Sequence, residues 1–401
     1  MDASLLALFW EGFELDSYEP LGTHCLLIRL KPDASRLPCC SGCGQSTFLP
    51  HDTSFRRVRE RDLLQYRVWL EVPVRRVRCP TCGPRRERID WLAGRQPLTR
   101  AMVNWVENLV RLLPIKHVAE LVGLHWHTVK AIDLGRLHRD ISAPDLSRVR
   151  RLIMDEFSLY KGHRYATVAI CADTQQVLWV AEGRSREAVR PFFEWMGPPA
   201  CARIEAVAMD MNTAMDLEVQ AHCPNAREVY DLFHVVAKYG REVVDRIRVD
   251  QANRLKADPA GRRAIKRSRW LLLRNRHNLD EPQALKLDEL LAANTPLMTA
   301  YVFKTQLKEL WYAPNEYEAR RRWGEWFKLA QESGLQPLQA FAKRLKAYVE
   351  GIVSSAEFQL NTSVLEGMNN RIKVIKRMAY GYRDNTYFFL KIKAAFPGKL
   401  R

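Results

Sequence analysis

Two short apolar runs in this chain each end in an acid. Arg151-Leu152-Ile153-Met154 leads into Asp155, and Ala206-Val207-Ala208-Met209 leads into Asp210. Runs of this length and composition read as buried strands. A carboxylate at the tip of a buried strand resists desolvation unless a cation or hydrogen-bond donors compensate it. The fold is thereby constrained: the two strand ends must meet where an opposite charge can sit. A third acid, Glu366, lies within the helical pattern Leu365-Glu366-Gly367-Met368-Asn369-Asn370-Arg371-Ile372-Lys373.

The rest of the chain is strongly basic, with 63 Lys and Arg against 46 Asp and Glu and a net charge of +17. Three such acids in a basic chain predict a divalent-cation site facing a polyanion, the setting for metal-assisted phosphoryl transfer on nucleic acid. The 401 residues suffice for two or three domains, and 47% hydrophobic residues with 11 Trp describe a globular protein. No apolar stretch reaches membrane-spanning length, and Met1-Asp2-Ala3-Ser4 lacks the basic start of a signal peptide. A cytoplasmic protein that faces DNA and has no membrane partner is expected, with its nine Cys as thiols or metal ligands.

Alternation predicts strands over 150–159, 165–172 and 176–181, then a helix over 186–196 and a strand over 204–209. A helix over about 213–221 and a strand over 227–230 follow. Three antiparallel strands followed by alternating helix and strand predict an α/β mixed sheet (α+β overall) of the ribonuclease-H-like kind. There the first and fourth strands are neighbours, so Asp155 and Asp210 would project side by side. Glu156 alternates to the opposite face from Asp155, and Asp216 falls on a helix, where a solvated position is expected. Single acids at strand ends also serve as caps. On the helix around Glu366, Asn370 and Lys373 share its face at i+4 and i+7, while Leu365, Met368, Ile372 and Ile375 point toward the sheet. The stretch from about 240 to 352 reads as a helical insertion. It contains the basic cluster 262–269, with Arg267 and Arg269 placed to hold DNA beside Trp270. Most other Trp there belong to a core.

Upstream, Cys40-Ser41-Gly42-Cys43-Gly44 and Cys79-Pro80-Thr81-Cys82-Gly83 are two C-x-x-C knuckles, each followed by Gly. Cys40, Cys43, Cys79 and Cys82 would close one structural zinc site, although Cys39 could replace Cys40. Between them a hairpin is expected, with Tyr66, Val68, Leu70 and Val72 on one face. Arg56, Arg57, Arg59, Arg75, Arg76 and Arg78 on this small module predict a phosphate-contacting surface. A helix over 99–113 precedes a helix-turn-helix pattern. Val118, Leu121, Val129 and Ile132 supply its core, Ala119 permits close approach, and Gly123 makes the turn. Trp126, His127, Thr128 and Lys130 form the expected reading edge in the major groove. His117, His125 and His127 read as solvated or phosphate-facing rather than metal-bound.

Together these residues resemble the DDE transposases of bacterial insertion sequences, specifically the ISL3 family. The most specific pieces are the Cys pairs, Met154-Asp155-Glu156-Phe157-Ser158, Met209-Asp210-Met211-Asn212, Asp231-Leu232-Phe233-His234-Val235, the segment Glu366 to Lys373, and Gly381-Tyr382-Arg383-Asp384-Asn385. The extra Cys39 departs from the pattern. The resemblance implies a zinc-ribbon domain over residues 1–93, a helix-turn-helix domain over 94–145 and a catalytic domain over 146–401. It implies Asp155, Asp210 and Glu366 as ligands for two Mg²⁺ or Mn²⁺ ions. Asp231 and His234 match a D-x-x-H motif that lies near the active site in related transposases, although His234 also reads as a capping or packed histidine. A homodimer acting on terminal inverted repeats and target DNA, associated with the bacterial nucleoid, is implied as well. The rival readings are a DNA-binding regulator without catalysis and a ribonuclease-H-like nuclease that does not join strands.

Overall fold

A computed structural model describes residues 8–47, 50–160, 162, 164–211, 213–230, 232–358, 360 and 363–399. The chain divides into two compact units, Met1–Asp140 and Ile141–Arg401.

The first unit opens with strands β1 (Phe13–Pro20), β2 (Cys25–Pro32), β3 (Pro50–Arg59), β4 (Arg67–Cys79) and β5 (Gly83–Arg86). They form one sheet in the order β1-β2-β4-β3, with β5 paired to β4. The β3–β4 pairing is antiparallel and is the expected hairpin, whereas β2 and β4 run parallel. Alternation along β4 buries Val68, Leu70 and Val72 against Phe13, Ile28 and Leu30. Strands β1 and β2 were not anticipated. β1 is an edge strand carrying Glu14, Asp16 and Glu19, so its period-2 signal is weak and its pairing with β2 supplies the missing energy.

Among the described residues three helices complete this unit, Arg100–Leu109, Ile115–Val122 and Trp126–Asp140. Thr99 caps the first, its Oγ1 accepting from Met102 N at 3.1 Å. That helix stops at Leu109, four residues short of the sequence expectation, and turns reach Pro114. Gly123 adopts the left-handed conformation at φ 66° and ends the second helix, as the turn requires. Leu121 does not enter the shared core: it is 58% exposed, and Val122 is buried instead. The cause is angular. Val118, Ala119 and Val122 fall within about 100° of the helix circumference, and Leu121 lies outside that arc.

The second unit carries β6 (Arg151–Tyr160), β7 (Arg164–Cys171), β8 (Val177–Glu182), β9 (Ala206–Met209) and β10 (Arg227–Tyr230). Their order is β10-β9-β6-β7-β8. β6, β7 and β8 are antiparallel, while β6, β9 and β10 are parallel. This is the predicted mixed sheet, with the first and fourth strands adjacent. Successive residues point to opposite faces, and two separate cores result. Leu152, Met154, Val207 and Met209 pack on the helices Arg186–Met196 and Thr213–His222 and join the core of the insertion. Ile153, Phe157, Ala206 and Ala208 pack with Met368, Ile372, Phe388 and Ile392 from the helices Ser363–Met378 and Asn385–Ala395.

The insertion is helical, as expected, and the helix Leu232–Tyr239, close after β10, leads into it. Trp323 and Trp326 lie in its core, whereas Trp270 and Tyr312 are exposed. Among the described residues no helix is long and apolar enough to cross a membrane.

Candidate functional site

The register between β6 and β9 decides where the two acids go. Arg151, Leu152 and Ile153 pair with Ala206, Val207 and Ala208. Continued by two residues, this register sets Asp155 beside Asp210. Both belong to the odd or even set that includes Ile153, Phe157, Ala206 and Ala208, so both project toward the helix Ser363–Met378. Glu156 faces the other way and pairs with Arg184 at 3.5 Å, in line with the alternation argument.

That helix delivers Asn369 to the site, where its Nδ2 donates to Asp155 Oδ2 at 2.6 Å. Sequence reasoning passed over Asn369 in favour of Asn370 and Lys373, both of which are exposed. The readable signal was position: Asn369 flanks the buried Met368 and Ile372, so it sits where the helix meets the sheet. Glu366 lies one turn earlier on the same helix; its side chain is outside the described residues, as is Asp231. His234, on the helix Leu232–Tyr239, brings Nδ1 against Asp210 Oδ1.

The electrostatics of this corner call for a cation. Burial raises the Asp155 carboxyl above its ordinary range, and the neighbouring Asp210 charge adds to the rise. Asp210 Oδ1 and Asn369 Oδ1 are both buried with no hydrogen-bond donor among the described residues, since the His234 contact is an ion-pair approach rather than an aligned hydrogen bond. Hard oxygen atoms left without donors at paired strand ends fit Mg²⁺ or Mn²⁺. Asp216 behaves otherwise than expected. It is buried rather than solvated, accepts from Tyr230 Oη at 3.2 Å, and burial with the Glu228 charge pushes its carboxyl up to about 7.

In the first unit, one ligand atom from each of Cys40, Cys43, Cys79 and Cys82 lies within 4.8 Å of the others, forming a cluster that can hold a metal ion. Cys39 turns away, its Sγ 3.5 Å from Ser46 Oγ. Both knuckles close through left-handed glycines, Gly44 at φ 75° and Gly83 at φ 69°. Backbone N–H groups of Cys82 and Thr81 push the Cys79 thiol down to about 7, while the neighbouring Cys43 sulfur is the largest cause raising Cys82 to about 12. Crowded thiols that cannot all ionise alone are a metal-thiolate site, and the donor set suits zinc.

The residues expected to form a reading edge lie at the start of the helix Trp126–Asp140. Trp126 and His127 are exposed and stacked at 3.6 Å, with Thr128 and Lys130 half-buried behind them. The basic residues divide. Arg57, Arg76, Arg78 and Arg267 are exposed. Arg59 is not a surface residue: it is 1% exposed, donates to Val68 O at 3.1 Å and Val122 O at 3.4 Å, and pairs with Asp62. Its role is to tie β3 to β4 and to the end of the helix Ile115–Val122. Arg75 is held by Glu87 at 2.7 Å, and Arg56 donates to Gly94 O and Gln96 O at 3.0 and 3.1 Å. Arg269 pairs with Asp245 at 3.3 Å. An Arg run read as sequence does not show which guanidinium groups the fold consumes.

Comparison with known proteins finds relatives over most of the chain. A DDE-type ISL3 family model described as a transposase matches residues 152–392. The helix-turn-helix domain of transposase family ISL3 matches residues 87–135, and the zinc-finger of transposase IS204/IS1001/IS1096/IS1165 matches residues 36–82. The transposase for insertion sequence element IS1001 of Bordetella parapertussis is 52% identical over 397 residues, covering 98% of this chain and 97% of that protein. The transposase for insertion sequence element IS1557 of Mycobacterium tuberculosis is 27% identical over 383 residues, covering 90% and 86% respectively.

Proposed function

The chain belongs to the ISL3 family of insertion-sequence transposases, and from that premise we propose that Asp155, Asp210 and Glu366 form the carboxylate centre that cuts and joins DNA strands. The observation carrying this reading is the β6–β9 register, which sets two half-buried carboxylates side by side under the helix that bears Glu366. The upstream modules would be the zinc ribbon over residues 1–93 and the helix-turn-helix over 94–145, with catalysis in 146–401. Trp126, His127, Thr128 and Lys130 read the element's terminal repeats, and the exposed Arg57, Arg76 and Arg78 contact phosphates.

The divalent ions held by these carboxylates would supply Lewis-acid stabilisation of phosphate charge and activation of a hydroxyl nucleophile. The chain's own residues prepare that site. Asn369 fixes the orientation of Asp155 through Nδ2, and His234 lies against Asp210 on the other side of the site. Cleavage and joining can share the site because only the nucleophile differs, water in one and a DNA 3′-hydroxyl in the other. A dimer holding two element ends accounts for paired cleavage, and Asp231 and Lys373 would assist near the reacting phosphate.

The test uses the full-length protein with Mg²⁺ and a labelled duplex carrying one end of its own element. Asp155→Asn, Asp210→Asn and Glu366→Gln should each abolish cleavage and strand transfer while end-binding persists. Retained cutting in all three overturns the assignment, binding by wild type without cutting favours a regulator, and hydrolysis without joining favours a nuclease.

A further inference from the structure

The helix Ser363–Met378 ends in an unusual way. Gly381 N donates to Lys376 O at 2.9 Å, and Tyr380 N donates to Arg377 O at 3.0 Å. This is the closing pattern of a Schellman motif, in which the residue before the last donor takes the left-handed conformation and is usually glycine. Here that residue is Tyr380, at φ 54°, although Gly381 stands one place later. A bulky aromatic side chain in this conformation is strained. It gains nothing in burial, being 81% exposed.

The strain is held from both sides. Lys376 donates to Leu159 O at the end of β6, and Tyr160 Oη donates to Tyr382 O at 2.6 Å and to Asn385 Oδ1 at 2.9 Å. Tyr380 therefore sits between two points fixed on β6, which is how a costly conformation persists. The exposed face leading to it carries Asn370, Lys373 and Arg377. Neither Lys373 nor Arg377 forms an ion pair among the described residues. Spaced at i, i+3 and i+7, these side chains form one stripe along the helix.

We propose that Tyr380 is a DNA-anchoring residue, packing its ring on a deoxyribose and donating its hydroxyl to a phosphate at the far end of a basic track. This rests on the carboxylate reading above. Tyr380 lies eleven residues beyond Asn369, or about 16 Å along a helix. At 3.4 Å per base pair its contact falls about five base pairs from the scissile phosphate. Duplex DNA is the partner because the track sets cations that form no ion pair among the described residues beside one amphipathic aromatic tip.

The experiment compares wild type with Tyr380→Asn, Tyr380→Gly and Tyr380→Phe in full-length protein. Asn and Gly tolerate the left-handed conformation, so both variants should melt about 2–4 °C higher than wild type. On the labelled element end each should nevertheless bind about tenfold more weakly. Their hydroxyl-radical footprints should lose protection about five base pairs from the cut, and Tyr380→Phe should fall between. Equal affinity and an unchanged footprint in Tyr380→Asn and Tyr380→Gly overturn the proposal. Lower melting in both overturns it too, since Tyr380 would then serve the fold, and so does a change confined to self-association. Wild type that fails to cut with Mg²⁺ refutes the carboxylate reading instead, whatever the Tyr380 variants do.

Discussion

Replacing Asp155 by Asn should abolish cutting and yet raise thermal stability in the absence of metal. The β6–β9 register sets Asp155 beside Asp210, and neighbouring strands lie about 4.8 Å apart. Two unit charges about 5 Å apart at an effective dielectric constant of about 20 repel by about 3 kcal/mol. Partial solvent access and the nearby His234 reduce this to roughly 1–2 kcal/mol. Asn has the same shape, and its carbonyl oxygen can still accept from Asn369 Nδ2, so little else is lost. Calorimetry of full-length protein in EDTA should place Asp155→Asn about 2–6 °C above wild type. Saturating Mg²⁺ should then stabilise wild type, by about 2.7 kcal/mol at a hundredfold excess over Kd, and the variant far less. The order of the two melts narrows or reverses on adding metal. A variant that melts below wild type in EDTA, or equal Mg²⁺ shifts in both proteins, refutes the argument that the two carboxylates form one cation site.

The purified chain should contain one zinc by mass spectrometry; Cys40→Ser should lose it and Cys39→Ser should keep it, because only Cys40 joins the sulfur cluster. Asp216 is held protonated in the folded state, with its carboxyl at about 7 against an ordinary 3.8. The folded state therefore binds more protons there, and stability falls as pH rises from about 4 to about 7. Asp216→Asn removes this loss, so urea melts should show a gain on the order of 4 kcal/mol at pH 8 and none below pH 4. Arg59→Met should cost about 2–4 kcal/mol, because it orphans the buried carbonyls of Val68 and Val122. Arg78→Ala should leave the melting temperature unchanged and reduce the salt slope of DNA binding by about one.

Much of the catalytic unit is legible in the chain because its strands are short, apolar and bounded by turns. The helix Arg186–Met196 and the strand Arg227–Tyr230 appear where the pattern puts them, and β6, β7 and β8 start or stop within about a residue of expectation. The signal fails where burial depends on partners far along the chain. β1 has too few apolar residues to announce itself, and Leu121 looks like core until the helix arc is measured. Arg59 and Asp216 read as surface residues because charge alone says nothing about which groups a fold will enclose. Asn369 was missed because a helical stripe defines a face only to within a neighbouring position.

The sequence by itself determined the order of elements from β6 to β10, the four sulfur ligands apart from the choice between Cys39 and Cys40, and the acids at the strand tips. Those are local properties, set by spacing, alternation and the few residue types that tolerate tight turns. The tertiary structure alone decided which side chains meet. Parallel pairing of β6 with β9 brings Asp155 to Asp210 across more than fifty residues, and packing of the helix Ser363–Met378 on β6 brings Asn369 to Asp155 across 214. The same packing fixes Tyr380 in its strained conformation. Contacts at such separation are specified by the summed burial of two core faces, and no short window of sequence contains that sum.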